Sequence, residues 1–179
     1  ETDGSFFWLS PKVLKFSGSY LASARMPRVL QPTLNRLAAQ TQQSFSAVVL
    51  DGDEVVIVAR SDVARVMAYG LHLGARLPAH ATSTGRVLLA AHTKTALNAW
   101  LKGRVLPRLT GRTVTDSKAL RARIAQAQID DFAISCEEHE LGVSAMSVPL
   151  RNAQGKTVAA LNVVLSSAEM NEPQIQQKF

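Results

Sequence analysis

Apolar residues recur at a helical period across residues 26–43, at Val29/Leu30, Leu34, Leu37/Ala38 and Thr41. This predicts a helix with one buried stripe and with Pro32 in its first turn, where a missing N–H does no harm. Residues 44–50 (SFSAVVL) and 54–60 (EVVIVAR) are β-branched runs separated by Asp51-Gly52-Asp53, the pattern of an antiparallel hairpin. Residues 64–73, which include Tyr69, form a weaker strand-pair candidate broken by Gly70 and Gly74. A strand-like approach then ends at Pro78, and an apolar run over 87–91 continues as a helix. Residues 94–102 (with Leu97, Trp100, Leu101) and 117–128 (with Leu120, Ile124, Ala127) read as helices, joined by an irregular loop over 103–114. Thr115 or Asp116-Ser117 would cap the second of these. Residues 131–136, 143–150 and 157–165 alternate as strands, with a turn over 151–156, and 168–179 is a polar helical tail in which Pro173 limits regularity. Strand pairs with helices between them, rather than strict βαβ alternation, give the α+β class: an antiparallel sheet with helices packed on it.

The N-terminal stretch has its own pattern. Asp3-Gly4 is a hairpin-turn signal followed by a strand-like run over 5–9, and Ser10-Pro11 reads as the cap and first residue of a helix over 12–20. Phe6, Phe7 and Trp8 would be exposed unless another subunit covers them, so association is expected.

With 179 residues, 46% of them hydrophobic, the chain can bury one sizeable core. It has no run of ~18 apolar residues and no signal-peptide pattern, which argues against a membrane span or secretion in this stretch. A single cysteine, Cys136, cannot form an internal disulfide, so a reducing cytoplasm is the expected compartment. The chain starts with Glu1 in mid-pattern and is expected to be a piece of a longer one. A net charge of +6 and a pI near 9.9 suit a chain that works beside nucleic acid or binds small acids. The densest basic region, Arg104, Arg108, Arg112, Arg121 and Arg123, carries no interleaved aromatics and reads as a solvated face. No complete helix-turn-helix is present.

The candidate chemistry centres on residues 76–91, RLPAHATSTGRVLLAA. Thr82 or Ser83 would cap the helix; by spacing alone this is either only a well-capped helix or one whose unpaired first-turn N–H groups bind a carboxylate, with Ser83, Thr84 and Gly85 small enough to let it approach. Other constellations carry less. His72, His80, His92 and His139 lack zinc-site spacing, and no metal site is expected. Glu137-Glu138-His139-Glu140 lies between strands and reads as a solvated turn rather than an acid–base pair. Ser83 lacks the G-x-S-x-G setting of a nucleophile, and Gly155-Lys156-Thr157 lacks the upstream glycine of a phosphate loop. Cys136 is most simply a small core residue.

Four stretches resemble the effector-binding domain of IclR-type transcriptional regulators, in the family's order: MPRVLQPTLNRLA, LDGDEVVIVAR, RLPAHATSTGRVLLA and EEHELGVSAMSVPLRNAQGKTVAALNV. Within the family, PAHATSTGRVLLA and SPKVL look most like the branch that regulates aromatic-acid catabolism through protocatechuate, 4-hydroxybenzoate or 3-oxoadipate. The resemblance implies a GAF-like or profilin-like antiparallel sheet whose pocket lies between the sheet and the helix at Ser83. It also implies that residues 1–24 are the end of a winged helix-turn-helix wing and a linker helix, and 25–179 the effector domain. DNA would be bound through an N-terminal domain absent from this chain, the assembly would be a homodimer or tetramer, and no cofactor or membrane would be involved. Carried over residue by residue, the family's ligand contacts fall on Ser83 and Thr84, with Gly85 following, and on Ser135, Ala145, Asn162 and Val164. Tyr69 would either stack on or cap the ligand or be a buried core tyrosine, and the EEHELG segment would shape the loop flanking the pocket. Ala145 and Val164 leave more room than the polar residues of glyoxylate-type sensors, which makes an aromatic ring or a longer dicarboxylate the expected effector. The competing expectations are a dimerisation module with a vestigial pocket and a small-molecule enzyme, for which no nucleophile–base pair is found.

Overall fold

A computed structural model of the chain describes Ser10, Lys12 and residues 25–61, 71–168 and 171–178. The expected wing strand, the linker helix and Tyr69 lie outside the described residues. Along the chain run α1 (Arg25–Thr41), β1 (Ser44–Asp51), β2 (Glu54–Ser61), β3 (Arg76–Pro78), a 3-10 turn (Ala79–Ala81), α2 (Ser83–Ala90), α3 (Lys94–Leu101), α4 (Ser117–Asp130), β4 (Ala133–Cys136), β5 (Val143–Arg151), β6 (Thr157–Ser166) and α5 (Glu172–Lys178).

All six strands form one antiparallel sheet in the order β3-β2-β1-β6-β5-β4. The first and last strands therefore meet in its middle, where β1 pairs with β6. The period-two alternation of the strands makes two apolar faces, so helices cover both. On one face Leu34 and Ala38 of α1 and Ile175 of α5 pack with Phe45, Ala47, Val163 and Leu165. On the other, Leu88 and Leu89 of α2, Leu101 of α3 and Leu120 and Ile124 of α4 pack on Val48, Val55, Ile57 and Ala160. Each fully buried aliphatic side chain stabilises by about 1.5–3 kcal/mol, so these two layers hold the helices to the sheet.

Several local expectations are corrected. α1 starts at Arg25, so Pro27 occupies its first turn and Pro32 lies inside the helix. Pro32 faces solvent, opposite the buried Leu34 and Ala38. Val29, expected in the buried stripe, is 72% exposed. Where the candidate strand pair falls on described residues, 71–74, the chain is irregular and turns at Gly74, whose φ is +83°. Pro173 does not disturb the tail, because it sits in the first turn of α5. There Asn171 and Gln174 cap each other reciprocally, and Ile175 is fully buried. Asp116 caps α4, its Oδ1 accepting from the Ala119 N–H at 2.7 Å.

Candidate functional site

On the sheet face that carries α2, two rows of residues run across the strands, and Arg60, Ser135, Ala145, Asn162 and Val164 from them line a cavity. Arg60 of β2 pairs with Ser46 of β1, Ser46 with Asn162 of β6, and Asn162 with Ser147 of β5, so four polar side chains line up across four strands. In the neighbouring row Ser44 pairs with Val164, Val164 with Ala145, and Ala145 with Ser135 of β4. The start of α2 closes the cavity from above. Its N-cap is Thr82, whose Oγ1 accepts from the Gly85 N–H at 3.1 Å.

That start is held in place by polar contacts to the sheet. The Ser83 N–H donates to Ser135 Oγ at 3.2 Å, and the Ser83 and Ser147 hydroxyls share a hydrogen bond of 2.7 Å. The Ser83 hydroxyl thus meets another neutral hydroxyl instead of a base. With the Arg86 N–H on the Thr82 carbonyl, Ser83, Gly85 and Arg86 have placed their first-turn amides. The Thr84 amide makes none of these bonds, and Thr84 lines the cavity at the positive end of the helix.

The cavity opens to solvent, and the empty space in it and its mouth together amounts to ≈ 520 Å³. Val48, Ile57, Leu77, Val143 and Val164 give it apolar walls, and Arg60, Thr84, Ser135, His139 and Asn162 give it polar points. Among the described residues that line it none is acidic, and Arg60 is basic. Arg60 Nη1 donates to Ser46 Oγ at 3.2 Å, which fixes the guanidinium on the floor. Asn162 Oδ1 is shielded from solvent and accepts no hydrogen bond among the described residues. Burial, ahead of the influence of Glu140 and His80, pushes the half-buried His139 imidazole below its usual value and favours its neutral form.

Of the residues singled out from the sequence, Ser83, Thr84, Ser135, Ala145, Asn162 and Val164 all line this one cavity. Gly85 does not line it: its amide is engaged by Thr82, and its lack of a side chain serves packing against Ala79. Arg60 was missed, since it does not stand near the capped helix in the sequence, and for His139 the resemblance gave only that its EEHELG segment flanks the pocket. The acidic turn is also corrected. Glu138 is buried and ion-paired with the buried Arg86, while Glu137 pairs with Arg112 at 2.9 Å.

Residues 18–179 match the family described as bacterial transcriptional regulator IclR, C-terminal. The chain belongs to the IclR family. It is 49% identical over 179 residues to the p-hydroxybenzoate hydroxylase transcriptional activator of Acinetobacter baylyi, covering 97% of this chain and 66% of that relative, so it spans just under two-thirds of the relative's length. The inducer-binding domain of an Acinetobacter PobR double mutant, solved as a complex with 3-hydroxybenzoic acid, superposes with a TM-score of 0.81 at 45% identity, over 87% of this chain and 91% of that one. An IclR homologue from Microbacterium hydrocarbonoxydans complexed with 4-hydroxybenzoate superposes with a TM-score of 0.80 at 27% identity, over 94% and 69% of the two chains. The six-stranded antiparallel sheet with helices on both faces is the fold of the IclR effector domain. No helix among the described residues is long and apolar enough to cross a membrane.

Proposed function

We propose that this IclR-type domain is the sensor of a DNA-binding regulator and that its effector is a hydroxylated aromatic acid. The observation that carries the reading is the buried Asn162 Oδ1, which accepts no hydrogen bond among the described residues, in a cavity also lined by Arg60. The dipole of α2 and the Thr84 amide attract the carboxylate of an acid, and the guanidinium of Arg60 on the floor offers it further N–H donors. A flat ring suits the walls of Val48, Ile57 and Val164, and a ring hydroxyl supplies the proton that Asn162 Oδ1 lacks. Leaving such an acceptor unmade costs about 1–3 kcal/mol, so hydroxylated acids are selected over plain benzoate by the same group. The hydroxybenzoates held by the two relatives fit this chemistry.

The reading extends to the rest of the regulator. Residues 1–24 would be the end of the wing and a linker helix, DNA would be held by a preceding domain, and the working unit would be a homodimer or tetramer in the cytoplasm. Effector binding moves the DNA-binding part only through a difference in affinity between two arrangements of the subunits. The domain performs no catalysis in this account. A thermal-shift screen of the chain with 4-hydroxybenzoate, 3-hydroxybenzoate, protocatechuate, 3-oxoadipate and neutral 4-hydroxybenzyl alcohol tests it. At ~100 times its Kd a ligand adds about 2.7 kcal/mol, a visible rise in Tm. A rise with a hydroxylated aromatic acid and none with the alcohol supports the reading. No rise with any acid would leave a dimerisation module with a vestigial pocket.

A further inference from the structure

Arg86 and Glu138 form an ion pair in the interior, with 1% and 7% of their surfaces exposed, and neither lines the cavity. Stability is a poor explanation for such a pair, because apolar residues of similar volume in its place are commonly neutral or stabilising. Its connections are more telling. From α2 the Arg86 guanidinium reaches in two directions, Nη2 to the Glu138 carboxylate and Nη1 to the Ile134 carbonyl at 3.1 Å. Ile134 precedes Ser135, which receives the Ser83 amide, so the cavity end of α2 is tied to β4 and its following loop at three points. The loop's other side is tied as well: Thr113 Oγ1 donates to the Glu138 carbonyl at 2.6 Å and Thr110 Oγ1 to the Glu137 carbonyl at 2.7 Å. His139, next along the chain, is thereby set at the cavity wall.

We infer that Arg86 and Glu138 are positioning residues of the effector site, fixing the β4–β5 loop and His139 against the start of α2 and so setting effector affinity without touching the ligand. This rests on the effector reading above. Directional bonds from one guanidinium keep the wall in a single arrangement, where an apolar contact would let the loop slide.

The test compares wild type, Arg86→Met combined with Glu138→Leu, and Glu138→Gln, by calorimetric titration with 4-hydroxybenzoate and by NMR titration of the His139 imidazole in the ligand-free chain. The double variant is expected to unfold in urea near the wild-type midpoint and to bind roughly tenfold more weakly or worse, as misplacement of a wall demands. Its His139 should also titrate nearer the usual histidine value. Glu138→Gln should move both readouts the same way by less. In Glu138→Gln, loss of the carboxylate charge would by itself lower the His139 value, because a nearby anion favours the imidazolium, so a rise reports displacement of the imidazole. If the double variant fails to fold, Glu138→Asp, which keeps the ion pair's charges and shortens its reach, is measured in its place against the same two outcomes. If wild type binds none of the acids, the effector reading fails, and the His139 titration still decides the positioning claim. An unchanged titration in a folded variant overturns the inference, as does an unchanged Kd where wild type binds.

Discussion

A Cβ placed on Gly85 would lie 1.9 Å from the carbonyl oxygen of Ala79. The 3-10 turn and the first turn of α2 are stacked so closely that only a hydrogen fits between them. The obstacle is backbone, which cannot rotate away, so Gly85→Ala must separate the turn from the helix. The expected loss is at least about 2 kcal/mol, toward the upper end of overpacking costs, read as a lower urea midpoint. A variant as stable as wild type would show that the two turns are not packed this tightly.

Removing one partner of the buried pair should be far worse than removing both. Arg86→Met leaves the Glu138 carboxylate in a site 7% exposed, and its expected cost is about 3–5 kcal/mol. Adding Glu138→Leu should restore most of that stability. A double-mutant cycle in urea checks it, and equal losses in the single and double variants would contradict the assignment of an ionised pair.

His139 gives stability a pH dependence with a definite sign. Its folded-state value lies below the usual 6.5, with burial the first cause, so the unfolded chain binds the proton more readily. This contribution to stability is intact above about pH 6.5 and is lost as the pH falls toward the depressed folded-state value. The urea midpoint should therefore drop between about pH 7.5 and 5.5 by less in His139→Gln than in wild type. Identical drops would remove His139 from the account.

Asp116 supplies a control remote from the cavity. Asp116→Ala removes the cap of α4 and is expected to lower stability by about 1 kcal/mol while leaving the Kd for any bound acid unchanged. A weakened Kd measured by calorimetry would mean that the start of α4 communicates with the site.

What the sequence revealed and what it hid divide along one physical line. Local patterns announced their elements: the Asp51-Gly52-Asp53 hairpin, the capped helix after Thr82 and the strands around Asn162 all form. The resemblance to IclR regulators placed Ser135, Ala145, Asn162 and Val164, and the sheet brings all four to one cavity with Ser83 and Thr84. Arg60 and Ser147 escaped because their place depends on register. Nothing near Arg60 in the chain says that Ser46, Asn162 and Ser147 continue its row across the sheet. Arg86 and Glu138 escaped because a charge in a helix or a turn is ordinarily solvated, and only the two together, 52 positions apart, explain why neither is. Pro32 was misplaced because a second proline, Pro27, holds the first turn it was assigned to.

The most direct measurement is a calorimetric isotherm of 4-hydroxybenzoate on wild type, Arg60→Met and Asn162→Leu, with benzoate as the ligand lacking the hydroxyl. Wild type is expected to prefer 4-hydroxybenzoate, and Arg60→Met to weaken both acids alike. Asn162→Leu should abolish the preference, a difference of about 1–3 kcal/mol in wild type. Equal binding of the two acids to wild type, or a preference that survives Asn162→Leu, would contradict the hydroxylated-acid reading.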